Sequence, residues 1–347
     1  MNGPPNQRVF YQQKGQTMSQ DIQELIDAQH EANQEGPRGH MGCSQLGHAC
    51  DRYLWYSFRF AVIEKFPGRI LRLFRRGQLE ERTVVSDLQN IGMKIVSTGT
   101  NQSRVDFGCH VSGSIDGIIE SGVPGNSKEK HILEIKTASL KKFKAMQKDG
   151  LQKANPTYFV QCHLYMSGKQ INHALFVMVC KDNDELYIEQ VPFNADVAEK
   201  AIKRGHRIVK ADHAPAGIST DSSWFECKFC AARDLCFGEK LTKEVNCRTC
   251  ANSTAVDDGT WHCQHWDMTI PNLNAQLAGC DNHVLHPDMT PNWEMEVADT
   301  GVIWLTKEGP IHNAPEGYLS REIVANWKAC ASGVREKFSE FDARVVG

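Results

Sequence analysis

Between residues 70 and 191 the apolar pattern changes period in a set order, and that order restricts the fold more than any other feature of the chain. Residues 70–88 (ILRLFRRGQLEERTVVSDL) carry non-polar positions at Ile70, Leu73, Phe74, Gly77, Val84 and Leu88, the spacing of one helix face. Short β-type segments follow, MKIVST, RVDFGCHVSGSIDGII and HILEIKT, with a turn-rich SGVPGNSK before the last. Residues 155–166 read as a helix, and INHALFVMVC and ELYIEQV as two strands joined across residues 181–184. Helix, strands, helix, strands predicts an α/β core with a mixed central sheet flanked by helices.

The apolar stripe of the first helix is interrupted by a carboxylate. Gly77, Glu81, Val84 and Leu88 are spaced four, three and four, so Glu81 points inward with the stripe while Glu80 is turned about 100° away. An inward acid is costly unless it is paired or binds a cation; otherwise Glu81 is a helix-surface acid. In the segment EIKT the two-residue period puts Glu134 and Lys136 on one face and Ile135 on the other. That pair could be a solvated ion pair, but Asp116, in the run GSIDG, is expected on a strand neighbouring Glu134. Acids placed together repel one another without a cation, and such oxygen ligands suit Mg²⁺ or Mn²⁺.

Taken in series, residues 77–81, GSIDG at 113–117, EIKT at 134–137 and QCHLY at 161–165 resemble the successive motifs of the RecB-like branch of the PD-(D/E)XK nuclease superfamily. Each is weak alone; the order and spacing of all four carry the resemblance. It implies a restriction-endonuclease-like core in which Asp116 and Glu134 bind metal and Lys136 assists the attacking water or the phosphate. Glu81 completes or supports that site, as the acidic variant of a position that is histidine in some relatives. Gln161 and Tyr165, one helical turn apart, match a Q-x-x-x-Y element that lines the site and contacts the DNA backbone, with helix packing as their alternative role. The implied activity is a Mg²⁺/Mn²⁺-dependent deoxyribonuclease, an exonuclease first, leaving 5′-phosphate and 3′-hydroxyl ends.

Thirteen cysteines fall into groups. Cys227, Cys230 and Cys236 are compact enough for one metal centre but leave it a ligand short. Branch members with a [4Fe-4S] cluster place one cysteine before the nuclease core and three after it, and Cys50, followed by DRYLWY, resembles that upstream ligand; Cys43 is the lesser candidate and zinc the lesser occupant. A second group, Cys247, Cys250, Cys263 and Cys280, lies in a stretch too polar to build its own core and reads as a structural Zn²⁺ knuckle, with His283 or His265 as substitutes for one thiol. Cys109, Cys162, Cys180 and Cys330 read as buried small hydrophobes.

These readings divide the chain into a peripheral arm at 1–42, a nuclease core at 43–237 closed by the cysteine clip, a zinc module at 238–290 and an accessory segment at 291–347. Within the last, a strand pair around residues 302–305 and a final helix N-capped by Ser320 are expected. With 41% hydrophobic residues and a formal charge of −3, the chain can bury a core but has no global positive field. DNA contacts must be local. Arg59, Lys65, Arg69, Arg72, Arg75, Arg76 and Arg82 are one candidate cluster, and the eight lysines of residues 128–153 another. No run of 18 apolar residues and no ATP-binding glycine motif occurs. A cytoplasmic protein without a membrane partner is therefore expected, in the host cytoplasm if phage-encoded, acting on DNA in replication, recombination or repair. A helicase, recombinase or single-strand-binding protein would be its expected partner, and the oligomeric state is open. A restriction-like endonuclease and a non-catalytic, zinc-containing nucleic-acid-binding protein are the competing readings.

Overall fold

The computed structural model describes residues 21–333. The first twenty residues of the expected arm and residues 334–347 of the expected accessory segment lie outside them. Residues 21–32 are helical (α1), and a two-residue strand β1 (Met41–Gly42) precedes α2 (Asp51–Phe58) and the long α3 (Gly68–Asn90). Helix α3 begins after Pro67 and is rich in Leu, Arg, Gln and Glu, all good helix formers. It stops where Gly92 takes φ +98°, which an L side chain resists.

A five-stranded mixed sheet lies at the centre, in the order β2 (Lys94–Val96), β5 (Gly117–Ser121), β6 (His131–Ala138), β7 (His173–Cys180) and β8 (Leu186–Pro192). Only β6 and β7 run parallel. Strand β7 is buried almost throughout, which explains the unbroken apolar run HALFVMVC. Val84 and Leu88 of α3 cover one face, against Ile119, Leu133, Ile135, Leu175 and Val177. Each such aliphatic burial contributes about 2 kcal/mol. Helices α4 (Leu140–Ala154) and α5 (Pro156–Lys169) cover the other, where Phe143, Met146, Cys162 and Leu164 meet Ile132, Phe176 and Met178. Helix α6 (Ala195–Val209) packs beside α5. The architecture is the expected α/β fold with a mixed sheet between helices.

Three local expectations need correction. Residues 104–119, read as one β segment, form β3 (Arg104–Asp106), β4 (Val111–Ser114) and the start of β5. Gly108, Cys109 and His110 all have positive φ and turn the chain between β3 and β4, which pair with β1 in a separate small sheet. Asp116 consequently lies in the bend between β4 and β5 rather than on a strand. Helix α4 had no expectation at all: only Phe143, Met146 and Leu151 of its fifteen residues are buried, too sparse a stripe among the lysines. Finally, beyond the short helices α7 (Phe225–Lys228) and α8 (Arg233–Cys236), Ser320 is the first residue of the last helix, α10 (Ser320–Ala331), with Leu319 at the cap. The Ser320 hydroxyl is instead buried and donates to His283 O at 2.6 Å.

The cysteine-rich stretch carries the short meander β9 (Ser253–Ala255), β10 (Trp261–Cys263), β11 (Met268–Ile270) and helix α9 (Leu273–Ala278). A third sheet, β12 (Glu294–Val297), β13 (Val302–Thr306) and β14 (Gly309–Asn313), packs with α10 around Trp304, Ile311 and Ile323. Cys109, Cys162, Cys180 and Cys330 are all buried, as expected of small hydrophobes. No described helix is long and apolar enough to cross a membrane.

Candidate active site

The chain reaches the site from four directions. Helix α3 supplies Glu81, four residues past Gly77, whose missing side chain leaves the helix close to Thr137 of β6. The bend after β4 supplies Asp116, β6 supplies Glu134 and Lys136, and α5 supplies Gln161 and Tyr165. Glu81, Asp116, Lys136, Gln161 and Tyr165 line one cleft. Glu134, at 0% exposure, is not among the lining residues and reaches the cleft through its ion pair with Lys136. Glu80, its neighbour on the helix, is not among the lining residues.

Strand alternation does what the sequence implied. Ile135 enters the core under α3, while Glu134 and Lys136 face α5 and form an ion pair. The Ile135 amide donates to Asp116 Oδ2 at 2.9 Å, which ties the bend to β6 between the two charged residues. Gln161 Nε2 donates to Tyr165 Oη at 3.1 Å, and Lys136 Nζ lies 5.3 Å from the Tyr158 ring. Gly113 makes the close approach possible. A Cβ there would lie 2.9 Å from both Cys43 Cβ and Tyr165 Cε1.

Three carboxylates share this space with one ammonium. Burial pushes the Glu134 carboxyl up to about 8, with Asp116 adding to the rise and Lys136 opposing it. Burial, then Asp116, pushes Glu81 up to about 7. Asp116 is also raised by loss of water, against the pull of Lys136 and the Ile135 amide. Burial would lower the Lys136 ammonium, but Glu134 and Asp116 more than reverse it. Glu134 Oε2 is buried without a hydrogen-bond partner. An orphaned carboxylate oxygen and an excess of negative charge are features that a hard divalent cation would relieve. Among the described residues, no group of three or more His, Cys, Asp or Glu has the geometry to hold a metal ion as the side chains stand.

The cleft has further lining residues that sequence reasoning missed. Arg38, His40, Ser44, Gln102 and Arg104 also line it, as does Gln78 of α3. Gln78 was findable, since it precedes Glu81 by three residues on the same helix face. Residues 38–44 carried no signal: they reach the site because β1 pairs in parallel with β4, a two-residue contact with no periodicity to read. Among the candidate phosphate contacts, Arg59 is corrected outright. It is 3% exposed, 5.1 Å and 5.3 Å from the Trp55 and Trp261 rings, and donates to Ser253 O at 2.9 Å. Arg72 of the same cluster is paired with Asp27.

The two cysteine groups also assemble. Cys50, at the N-cap of α2, lines a cavity together with Cys227, Cys230 and Cys236, over 170 residues later. Cys50 Sγ accepts from the Tyr53 amide at 3.5 Å, and Arg52 Nη1 lies 3.6 Å from Cys236 Sγ. Cys43 is buried at the acidic cleft instead. Cys247, Cys250, Cys263 and Cys280 line a second cavity with His265 and His283.

Residues 100–169 match the family model of the YqaJ-like viral recombinase domain. That span holds Asp116, Glu134, Lys136, Gln161 and Tyr165 and leaves Glu81 and both metal-type cysteine groups outside. No curated protein matches the chain. Among solved structures, SSO0001 is similar at a TM-score of 0.38 and 14% identity, over 62% of this chain and 95% of that one. The alkaline exonuclease LHK-Exo from Laribacter hongkongensis, alone and with dAMP, is similar at a TM-score of 0.34 and 13% identity, over 53% of this chain and 90% of that one. Scores this low assign neither fold nor activity.

Proposed function

We propose that the chain is a divalent-metal-dependent deoxyribonuclease of the PD-(D/E)XK type, an exonuclease serving DNA recombination or repair. One observation carries the reading: Glu81, Asp116 and Lys136, drawn from a helix, a bend and a strand, line one cleft with Arg38 and Arg104, and Lys136 is ion-paired with the buried Glu134. The match to a viral recombinase domain over residues 100–169, which hold Asp116, Glu134 and Lys136, supports the pathway. Separation of Asp116, Glu134 and Lys136 would have favoured the non-catalytic alternative; the Asp116 bond to the Ile135 amide and the Glu134–Lys136 pair support the nuclease reading instead.

Glu81, Asp116 and Glu134 would hold Mg²⁺ or Mn²⁺. Such an ion supplies Lewis acidity toward a phosphate oxygen and offsets the charge that develops on it. The protein's own groups do the rest. Lys136, kept protonated by its acidic neighbours, presents a fixed positive charge to the scissile phosphate. Arg38 and Arg104 neutralise flanking phosphates in the same cleft. Gln161 and Tyr165 offer neutral donors to the DNA backbone and hold the cleft to a set width.

We assign a [4Fe-4S] cluster to Cys50, Cys227, Cys230 and Cys236. Four sulphur donors at one cavity fit it, and linking Cys50 to the far end of the core restrains the unfolded chain as a long-range crosslink does. Its role is structural.

Digestion of 5′- and 3′-labelled linear DNA, with circular DNA in parallel, tests the activity with Mg²⁺ or Mn²⁺. Asp116→Ala and Lys136→Ala should abolish cleavage while the fold persists. Undiminished cleavage in both variants removes the proposal, and equal cleavage of circles makes the enzyme an endonuclease.

A further inference from the structure

The second cysteine group is built as a metal knuckle and is wired to the acidic cleft through one buried side chain. Cys247 and Cys250 flank a 3₁₀ turn (Cys247–Thr249) whose amides at Arg248 and Thr249 are capped by Asn246 Oδ1 at 3.0 Å and 3.2 Å. Cys263 ends β10, and Cys280 follows α9. Cys247 Sγ lies 3.7 Å from Ala275 O of α9. His283 lines the same cavity, is 2% exposed, and has an Nδ1 without a partner.

Arg248, between the two cysteines of the turn, is 1% exposed and carries the connection. Its guanidinium stacks 4.0 Å from the Phe60 ring centroid, 4.8 Å from Trp261 and 5.1 Å from Phe58. Nε donates to Gln276 Oε1 at 2.8 Å, Nη1 to Phe58 O at 2.9 Å and Nη2 to Gly39 O at 2.9 Å. The three acceptors belong to α9, the end of α2 and the loop before β1. Gly39 lies between Arg38 and His40, which line the same cleft as Glu81, Asp116 and Lys136. A planar fork with three separate acceptors fixes its neighbours' relative positions as a lysine's single ammonium cannot.

We infer that Cys247, Cys250, Cys263 and Cys280 bind a structural Zn²⁺ whose presence, through Arg248, holds the Arg38–His40 wall of the cleft in place. Four sulphur donors in a polar segment suit one tetrahedral ion. Loading releases the thiol protons to solvent and requires rotation about the cysteine Cα–Cβ bonds, since the thiols do not form a ready cage as they stand. That this wall belongs to a working active site rests on the nuclease reading; the metal site and the Arg248 link do not.

The full chain, purified with zinc, is the test object. Elemental analysis should show one equivalent of zinc fewer in Cys263→Ser than in wild type, and zinc-edge X-ray absorption of wild type should show sulphur ligands. Equal zinc in both proteins, or a first shell of only oxygen and nitrogen, overturns the site. Hydrogen exchange reads the link at the Met41 and Cys43 amides, which donate to His110 O and Ser112 O. Arg248→Lys should keep its zinc and speed exchange there about tenfold, with β6 unchanged. Zinc removal should have the same effect. Wild-type exchange at both amides in Arg248→Lys overturns the link, even if Cys263→Ser fails to fold. None of these readouts involves DNA, so their failure is separable from failure of the nuclease proposal.

Discussion

The amide of Ile135 donates to Asp116 Oδ2 at 2.9 Å, so the residue that points away from the cleft holds the acid that faces it. This bond lets a carboxylate in a bend keep station beside a strand. It also separates the structural from the electrostatic role of Asp116.

Asp116→Asn keeps a carbonyl oxygen for Ile135 and removes the charge. Cleavage should fall by about a hundredfold or more, the scale of losing one electrostatic contact in an active site. Stability without divalent ions should hold or rise, because Asp116 is a cause of the upward shifts at Glu81 and Glu134. Thermal denaturation and a digestion time course measure the two effects; a fall in both would make Asp116 a folding residue.

Stability should depend on pH in a direction set by those shifts. Unfolded glutamates release their protons near pH 4.5 or just below, while folded Glu81 and Glu134 keep theirs to about 7 and about 8. The folded state thus binds more protons across that window, and its stability falls as pH rises through it. Without added divalent ions the melting temperature should be lower at pH 8.5 than at pH 5.5. Mg²⁺ should restore about 3 °C or more at the higher pH and little at the lower. A melting temperature that climbs with pH would contradict the burial of these acids.

Gly113→Ala should destabilise the fold by about 1–3 kcal/mol, since its methyl would lie 2.9 Å from both Cys43 and Tyr165. The urea midpoint measures this. The displaced ring would also loosen the Gln161–Tyr165 bond, so cleavage should weaken more than stability alone explains.

Purified without oxygen, the protein should carry about four iron and four sulphide per chain. Cys236→Ser should lose them, whereas Cys43→Ser should not, because Cys43 lies at the other cleft. Iron retained in Cys236→Ser would reassign the ligands.

What the amino-acid order determined by itself was whatever repeats along a single element. The helical period assigned Glu81 rather than Glu80 to the inward stripe of α3, the strand period put Glu134 and Lys136 on one face, and the apolar run INHALFVMVC marked β7 as a strand. Contacts between distant segments were decided by the tertiary structure alone. The positive φ values at Gly108, Cys109 and His110 split one apparent strand into two and set Asp116 in a bend. The pairing of β1 with β4 drew Arg38 and His40 into the cleft, and packing between Trp55 and Trp261 took Arg59 out of reach of DNA. Periodicity records which way a side chain points from its own backbone; what it meets there depends on chain folded back from far away, to which no local pattern is coupled.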